Sequence, residues 1–321
     1  MGPIQIVPSA ELHDLLTNPV HLGPSSEVGM LAYHGGKVIK NGAARVFNLY
    51  IGAVTVDRVD FDAFSKSIVE EGYYVSPDGL DTSSGKFIGS KVMSVQMGSV
   101  VNDSALSQFV DNMVSTGELP PQDGSTLYSI MLPPGITVIL QGSSSCNSFC
   151  GYHSRTSKGN YYAVMIDPSC IGCHGSFTPA EGRTMVYAHE YAEWRSDPDL
   201  NAWYNDATGM ENADECAWNK VLWKGWTVQP FAVNGRGCII GTPTSTPPPP
   251  PTTQGPEFHM LVAGSRGTVA IEPVKLPYVG IVRSIQAAFI YPDKTKQTFS
   301  VGLGTPRTPV GKFLAWLGGK L

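Results

Sequence analysis

At 321 residues and 34.4 kDa, the chain can form one large domain, or a medium one with an appendage, and can bury a core without staples. Only 15% of its residues are charged, and its 35 glycines and 25 prolines demand many turns, which excludes a coiled coil or helical solenoid. A net charge of −5 without a Lys/Arg cluster offers no footprint for nucleic acid, and no apolar stretch reaches the roughly 18 residues needed to span a bilayer.

The first residues, Met1 to Ser9, lack a basic n-region and an apolar h-region, so export would require a leader already removed. His34, beside Gly35 and Gly36, is a candidate pocket residue. Arg45 to Ile51 reads as a strand, and Phe61, Phe64 and Ile68 set a helical period over 60–71. Lys86 to Met97 follows as a strand. Leu106, Phe109, Val110 and Met113 predict a second amphipathic helix that opens with Asp103 as N-cap. Asn102-Asp103-Ser104 is a glycosylation sequon. Leu127 to Leu132 and Ile136 to Leu140, joined across Pro133-Pro134-Gly135, predict a β-hairpin, and Tyr161 to Ile166 a further strand.

This alternation predicts a mixed α/β domain over residues 1–240, of α+β type and β-leaning. Residues 241–256, with the run Pro247 to Pro251, form a Pro/Thr-rich linker of polyproline II character. Beyond it, 257–321 read as a small β-rich module, with short apolar runs at Thr268 to Ile271, Tyr278 to Val282 and Ala287 to Tyr291.

Cys146, Cys150, Cys170, Cys173, Cys216 and Cys238 are even in number and clustered, which predicts disulfides and an oxidising, extracellular setting. Their pairing stays open. Cys170-Ile-Gly-Cys173-His174 also matches the c-type haem attachment pattern, but the four other cysteines favour a disulfide set, so no haem is expected.

Thr178-Pro179-Ala180-Glu181 is a capping box with proline at the first helical position, and Pro198 must end the helix. Between them stands His189-Glu190-Tyr-Ala-Glu193. His189 and Glu193, four apart, project from one helical face as a metal clamp, and Glu190 takes the place of the general base in the His-Glu-x-x-His motif of zinc proteases. Asp199, ten residues after His189, is the expected third ligand, with Asp197, Glu211 and Asp214 as alternatives. Oxygen-only ligation by Glu193, Asp197, Asp199 and Asp214 would favour calcium over zinc. The bland alternative makes His189, Glu190 and Glu193 ordinary polar residues paired with Arg183 or Arg195. His153 is a second candidate pocket residue. Trp194, Trp203, Tyr204, Trp218, Trp223 and Trp226 are expected in core and loop packing.

The passage Ala188 to Tyr204, with Glu211 to Trp218, resembles the plant EXORDIUM / phosphate-induced protein family and its bacterial and fungal relatives. Tyr33-His-Gly-Gly36, Gly117-Glu-Leu-Pro120 and Cys146-x-x-x-Cys150-Gly-Tyr-His153 extend the resemblance over about residues 30–220. The resemblance implies an extracellular, cell-wall-associated role and a zincin-like mixed sheet with an active-site helix. It further suggests zinc-dependent hydrolysis of a peptide, with cell-wall glycoprotein or polysaccharide as other partners. The contrasting expectation is a non-catalytic wall or signalling protein with a structural metal, calcium among them, or a buried polar site.

Overall fold

The computed structural model describes residues 30–242, apart from 41 and 53–57, together with the backbone of five strands outside that range. The chain forms two compact units, 1–246 and 247–321. In the first, a six-stranded sheet runs in the order β1 (Ile6–Pro8), β9 (Phe149–Arg155), β10 (Tyr161–Met165), β6 (Thr126–Met131), β3 (Arg45–Ile51) and β4 (Lys86–Met93). The pairs β4/β3, β3/β6 and β6/β10 are parallel, whereas β9 runs antiparallel to both of its neighbours. The result is a mixed α/β arrangement, β-leaning as the alternation of strand and helix patterns predicts.

Strand alternation distributes the core between the two faces of this sheet. Val46, Tyr50, Leu127, Met131, Tyr161 and Ala163 face helices α1 (Arg58–Glu70) and α3 (Pro179–Ser196), meeting Phe61, Phe64, Ile68, Val186, Tyr187 and Trp194. Leu49, Ile51, Tyr128, Ile130, Tyr162 and Val164 face the other way, onto Leu106 and Val110 of α2 (Asp103–Ser115). Central strands covered on both faces read as continuous apolar runs, which is why β6 is buried along its whole length.

Two sequence expectations are corrected. The segments around Leu127 and Ile139 do not form a hairpin: β6 lies between β3 and β10, while β7 (Thr137–Leu140) joins a separate three-stranded sheet with β5 (Val100–Asn102) and β8 (Ser143–Ser144). A fully buried run has no polar face to fix its partner, so sequence proximity misleads. Asp103 is the first helical residue of α2, after Asn102 at the N-cap, and its carboxylate accepts from the Tyr152 and Tyr162 hydroxyls, each at 2.7 Å.

Helix α3 begins as expected. Thr178 Oγ1 accepts from the Glu181 amide at 3.2 Å, and Glu181 Oε2 accepts in return from the Thr178 amide at 2.9 Å. Three disulfides surround it: Cys146–Cys170, Cys150–Cys173 and Cys216–Cys238. The sulfurs of the Cys-x-x-Cys-His segment are therefore both in disulfides. No helix among the described residues is long and apolar enough to cross a membrane.

In the second unit, the strand Leu261–Gly264 pairs with Gly267–Ala270, and Ser284–Ile290 with Lys296–Gly302, both antiparallel. The run expected at Tyr278 to Val282 and the prolines at 247–251 lie outside the described residues.

Non-reducing peptide mapping should recover these three cystine pairs. A bond joining Cys216 or Cys238 to any of the other four cysteines would contradict this arrangement.

Candidate metal centre

From Gly182 to Ser196 every residue of α3 is buried, so its charged side chains must find partners inside the protein. The two arginines do so away from the acids. Arg183 bonds Asp167 at 2.8 Å, and Arg195 donates to the Ile39 carbonyl at 2.7 Å, the Tyr191 hydroxyl at 2.9 Å and the Ser83 carbonyl at 3.1 Å. The pairing of Arg183 or Arg195 with His189, Glu190 or Glu193 is thus not formed.

The face carrying His189, Glu190 and Glu193 meets three other segments. Strand β9 supplies His153, and the chain just past the helix supplies Asp197. The loop leading into the short helical turn Asp214–Cys216 supplies Glu211 and Asp214. All seven side chains are buried. His189 Nε2 lies 2.8 Å from Glu193 Oε1 and 3.5 Å from Asp214 Oδ1. His153 Nδ1 lies 3.3 Å from Glu190 Oε2 and 3.8 Å from Glu193 Oε2, and His153 Nε2 is 4.0 Å from Glu211 Oε1. Two triads able to hold a metal follow, His189–Glu193–Asp214 and His153–Glu190–Glu193, with Glu193 common to both.

Local features bring these segments together. Gly151, two residues before His153, faces the helix so closely that an added Cβ would lie 2.6 Å from Val186 Cγ1 and 2.9 Å from Glu190 Oε1. The Cys150–Cys173 bond ties the same strand to the turn before α3, and Cys216–Cys238 anchors the turn that bears Asp214. The Asp214 amide donates to Glu193 Oε1 at 3.1 Å.

The electrostatics are those of acids without counter-charge. Among the ion pairs of the described residues, none gives Glu190, Glu193, Asp197, Glu211 or Asp214 a lysine or arginine. Burial, the largest influence, pushes the Glu190 carboxyl up to about 8, with His189 opposing and Asp214 adding to the rise. Burial and then neighbouring carboxylates hold Glu193, Glu211 and Asp214 well above their ordinary range. Burial also raises Asp197, against the backbone amides of Asn201 and Ala202 that bond it. Burial lowers His153, against the pull of Glu193.

Glu190 Oε1, Glu193 Oε2, Asp197 Oδ2, both oxygens of Glu211, Asp214 Oδ1 and His189 Nε2 are buried without a hydrogen-bond partner. So many orphaned carboxylate oxygens in one place fit a cation, because an unpaired buried carboxylate costs several kcal/mol. A donor set that mixes imidazole nitrogen with carboxylate oxygen suits zinc or a similar first-row ion better than calcium.

The structure places the other candidates elsewhere. Asp199 belongs to neither triad: its Oδ1 accepts from Arg155 at 3.1 Å and from the Tyr161 hydroxyl at 3.0 Å. Asp197 accounts for this, because its Oδ1 takes the Asn201 and Ala202 amides and turns the chain just past the helix. The oxygen-only set of Glu193, Asp197, Asp199 and Asp214 is therefore not assembled. His34 stacks on Tyr204 and bonds Asp206 at 2.7 Å, outside both triads. Trp194 and Trp223 are core residues. Sequence reasoning missed Gln229, whose buried amide nitrogen lies 2.7 Å from His189 Nδ1, and nothing in the segment around it signals that role.

No protein-family model, curated protein or solved structure matches this chain.

Substitution of Gly151 by alanine should force α3 from the strand or displace Glu190, destabilising the domain by about 1–3 kcal/mol, the usual range for overpacking. Thermal melting checks this; an unchanged midpoint would show that the helix and strand do not meet this closely.

Proposed function

We propose that the first unit is an extracellular, non-catalytic domain built around a buried divalent-metal centre, formed by the cluster on β9, α3 and the 197–214 loop. One observation carries this reading: five buried carboxylates converge with two histidines and, among the described residues, no lysine or arginine to balance them. A metal centre enclosed by its own protein ligands is characteristic of structural rather than catalytic sites, and every donor here is buried. The three disulfides agree with an extracellular setting. The ion would join strand, helix and loop through side chains that otherwise repel one another. This suits a wall-associated or signalling protein of the kind the EXORDIUM resemblance implies.

A second reading, zinc-dependent peptide hydrolysis, is favoured by a separate observation. The mixed sheet leads through its last parallel strand, β10, into the helix that carries His189-Glu190-x-x-Glu193, as expected of a zincin-like fold. A bound ion would there act as a Lewis acid. Glu190, set in a desolvated site that raises its carboxyl to about 8, would be the general base. Incubation with a broad peptide library distinguishes the readings. Hydrolysis lost in Glu190→Gln with the metal retained supports the peptidase; metal without hydrolysis supports the structural role.

The metal reading also predicts a pH signature. Glu190 has a folded-state value near 8, above its ordinary 4.5, so in ion-free protein its contribution to stability is complete below about 4.5 and is lost as pH rises through about 8. Ion binding needs deprotonated ligands and strengthens over the same range. The purified chain should therefore contain about one divalent ion, and the drop in melting temperature caused by a chelator should widen from about pH 5 to about pH 8. A chain without metal, or a gap independent of pH, would overturn the proposal.

A further inference from the structure

The two histidines of the cluster are held in opposite hydrogen-bonding states, and this decides which of them can take a metal. His153 Nε2 lies 3.2 Å from the main-chain oxygen of Asp197. A carbonyl can only accept, so Nε2 carries the proton and Nδ1 keeps its lone pair. That lone pair faces Glu190 Oε2 at 3.3 Å and Glu193 Oε2 at 3.8 Å. Three electron-rich atoms thus converge in a buried space, and the Glu193 oxygen has no hydrogen-bond partner.

His189 is arranged the other way. The Gln229 amide is fixed by two backbone groups: its Oε1 accepts from the Trp218 amide at 3.0 Å, and its Nε2 donates to the Ala213 carbonyl at 2.8 Å. Turning the amide over would set donor against donor and acceptor against acceptor. Its Nε2 therefore presents an N–H to His189 Nδ1 at 2.7 Å, so Nδ1 accepts and the ring proton sits on Nε2, 2.8 Å from Glu193 Oε1 and 3.5 Å from Asp214 Oδ1. A protonated nitrogen cannot ligate a metal.

Resting on the metal reading above, we infer that a divalent first-row ion binds to His153 Nδ1, Glu190 and Glu193, and that His189 is a positioning residue rather than a ligand. His189 Nε2 stands 2.8 Å from Glu193 Oε1 outside hydrogen-bond geometry, on the side away from Glu193 Oε2, which is left for the ion. The metal site is thus shifted from the His-Glu-x-x-Glu clamp to one that shares its two glutamates and takes its imidazole from the sheet. With Glu190 coordinated, it is no longer free to be the general base that hydrolysis requires of it, so the inference deepens the structural reading and not the hydrolytic one.

The test uses the full chain, with isotopically labelled histidine, loaded with an NMR-active cadmium isotope as a probe for zinc. Long-range nitrogen spectra report which ring nitrogen carries a proton and which couples to the metal. Coupling to His153 Nδ1, with His189 protonated on Nε2 and uncoupled, is the expected result. In zinc titrations His153→Gln should lose about 100-fold or more in affinity, and His189→Gln about 10-fold, the lower end of outer-shell effects. Cadmium coupled to His189 Nε2, alone or together with His153, overturns the inference while leaving the metal centre standing. A chain that binds neither cadmium nor zinc overturns both, and the orphaned acids are then neutralised by protons.

Discussion

Repulsion among five buried carboxylates is the constraint around which this domain is arranged. Glu190 and Glu193 sit in the middle of a helix with no solvent-facing side, and Asp197, Glu211 and Asp214 are brought against them by the chain that follows. If these groups ionised together with no counter-charge, they would push that loop outward. It is held instead by covalent and steric devices: the Cys216–Cys238 bond at the Asp214 turn, the Cys150–Cys173 bond beside α3, and the missing side chain of Gly151. Arg183 and Arg195 could have neutralised the cluster from the same helix. Their engagement with Asp167 and with backbone carbonyls leaves the cluster without a counter-charge from this helix.

What could be read from the sequence follows the range of the interactions involved. Helix α3 was legible to the residue at its start because Thr178, Pro179 and Glu181 are local signals, and His189 and Glu193 share a face by helical geometry alone. The strand at Arg45 and the helices α1 and α2 follow from periodicity in the same way. The partner of β6 was not legible, since an apolar run buried on both faces is compatible with a hairpin or a central parallel strand. The third acid is a related case. Spacing from His189 pointed to Asp199, but the Asp197 carboxylate captures the backbone there and sends Asp199 to Arg155 and Tyr161. Asp214 reaches the cluster through a turn fixed by a distant cysteine. Gln229 acts through one amide at long range, which no pattern announces.

The cluster also shows how motif and chemistry can part. A His-Glu-x-x-Glu helix places donor atoms, but whether a ring nitrogen can bind a metal depends on what the opposite nitrogen meets. For His189 that neighbour is an amide N–H, and for His153 a carbonyl. Two partners outside the motif therefore divide the roles between histidines that look equivalent by type and burial.

The three cystines close loops of similar, short length, with sequence separations of 24, 23 and 22, and all lie between residues 146 and 238. The parallel pairings of β3 with β4 and β6 carry no cross-link and depend on segments distant in the chain, such as Val46 and Leu127. Short loops close at lower entropic cost than long ones, and non-local parallel sheets assemble slowly. On entropic grounds alone, oxidation of the part around α3 closes smaller loops than the β3–β4–β6 register requires. In a reducing medium the loop that carries Asp214 loses the Cys216–Cys238 tie and is held against α3 by non-covalent contacts such as the Asp214 amide on Glu193.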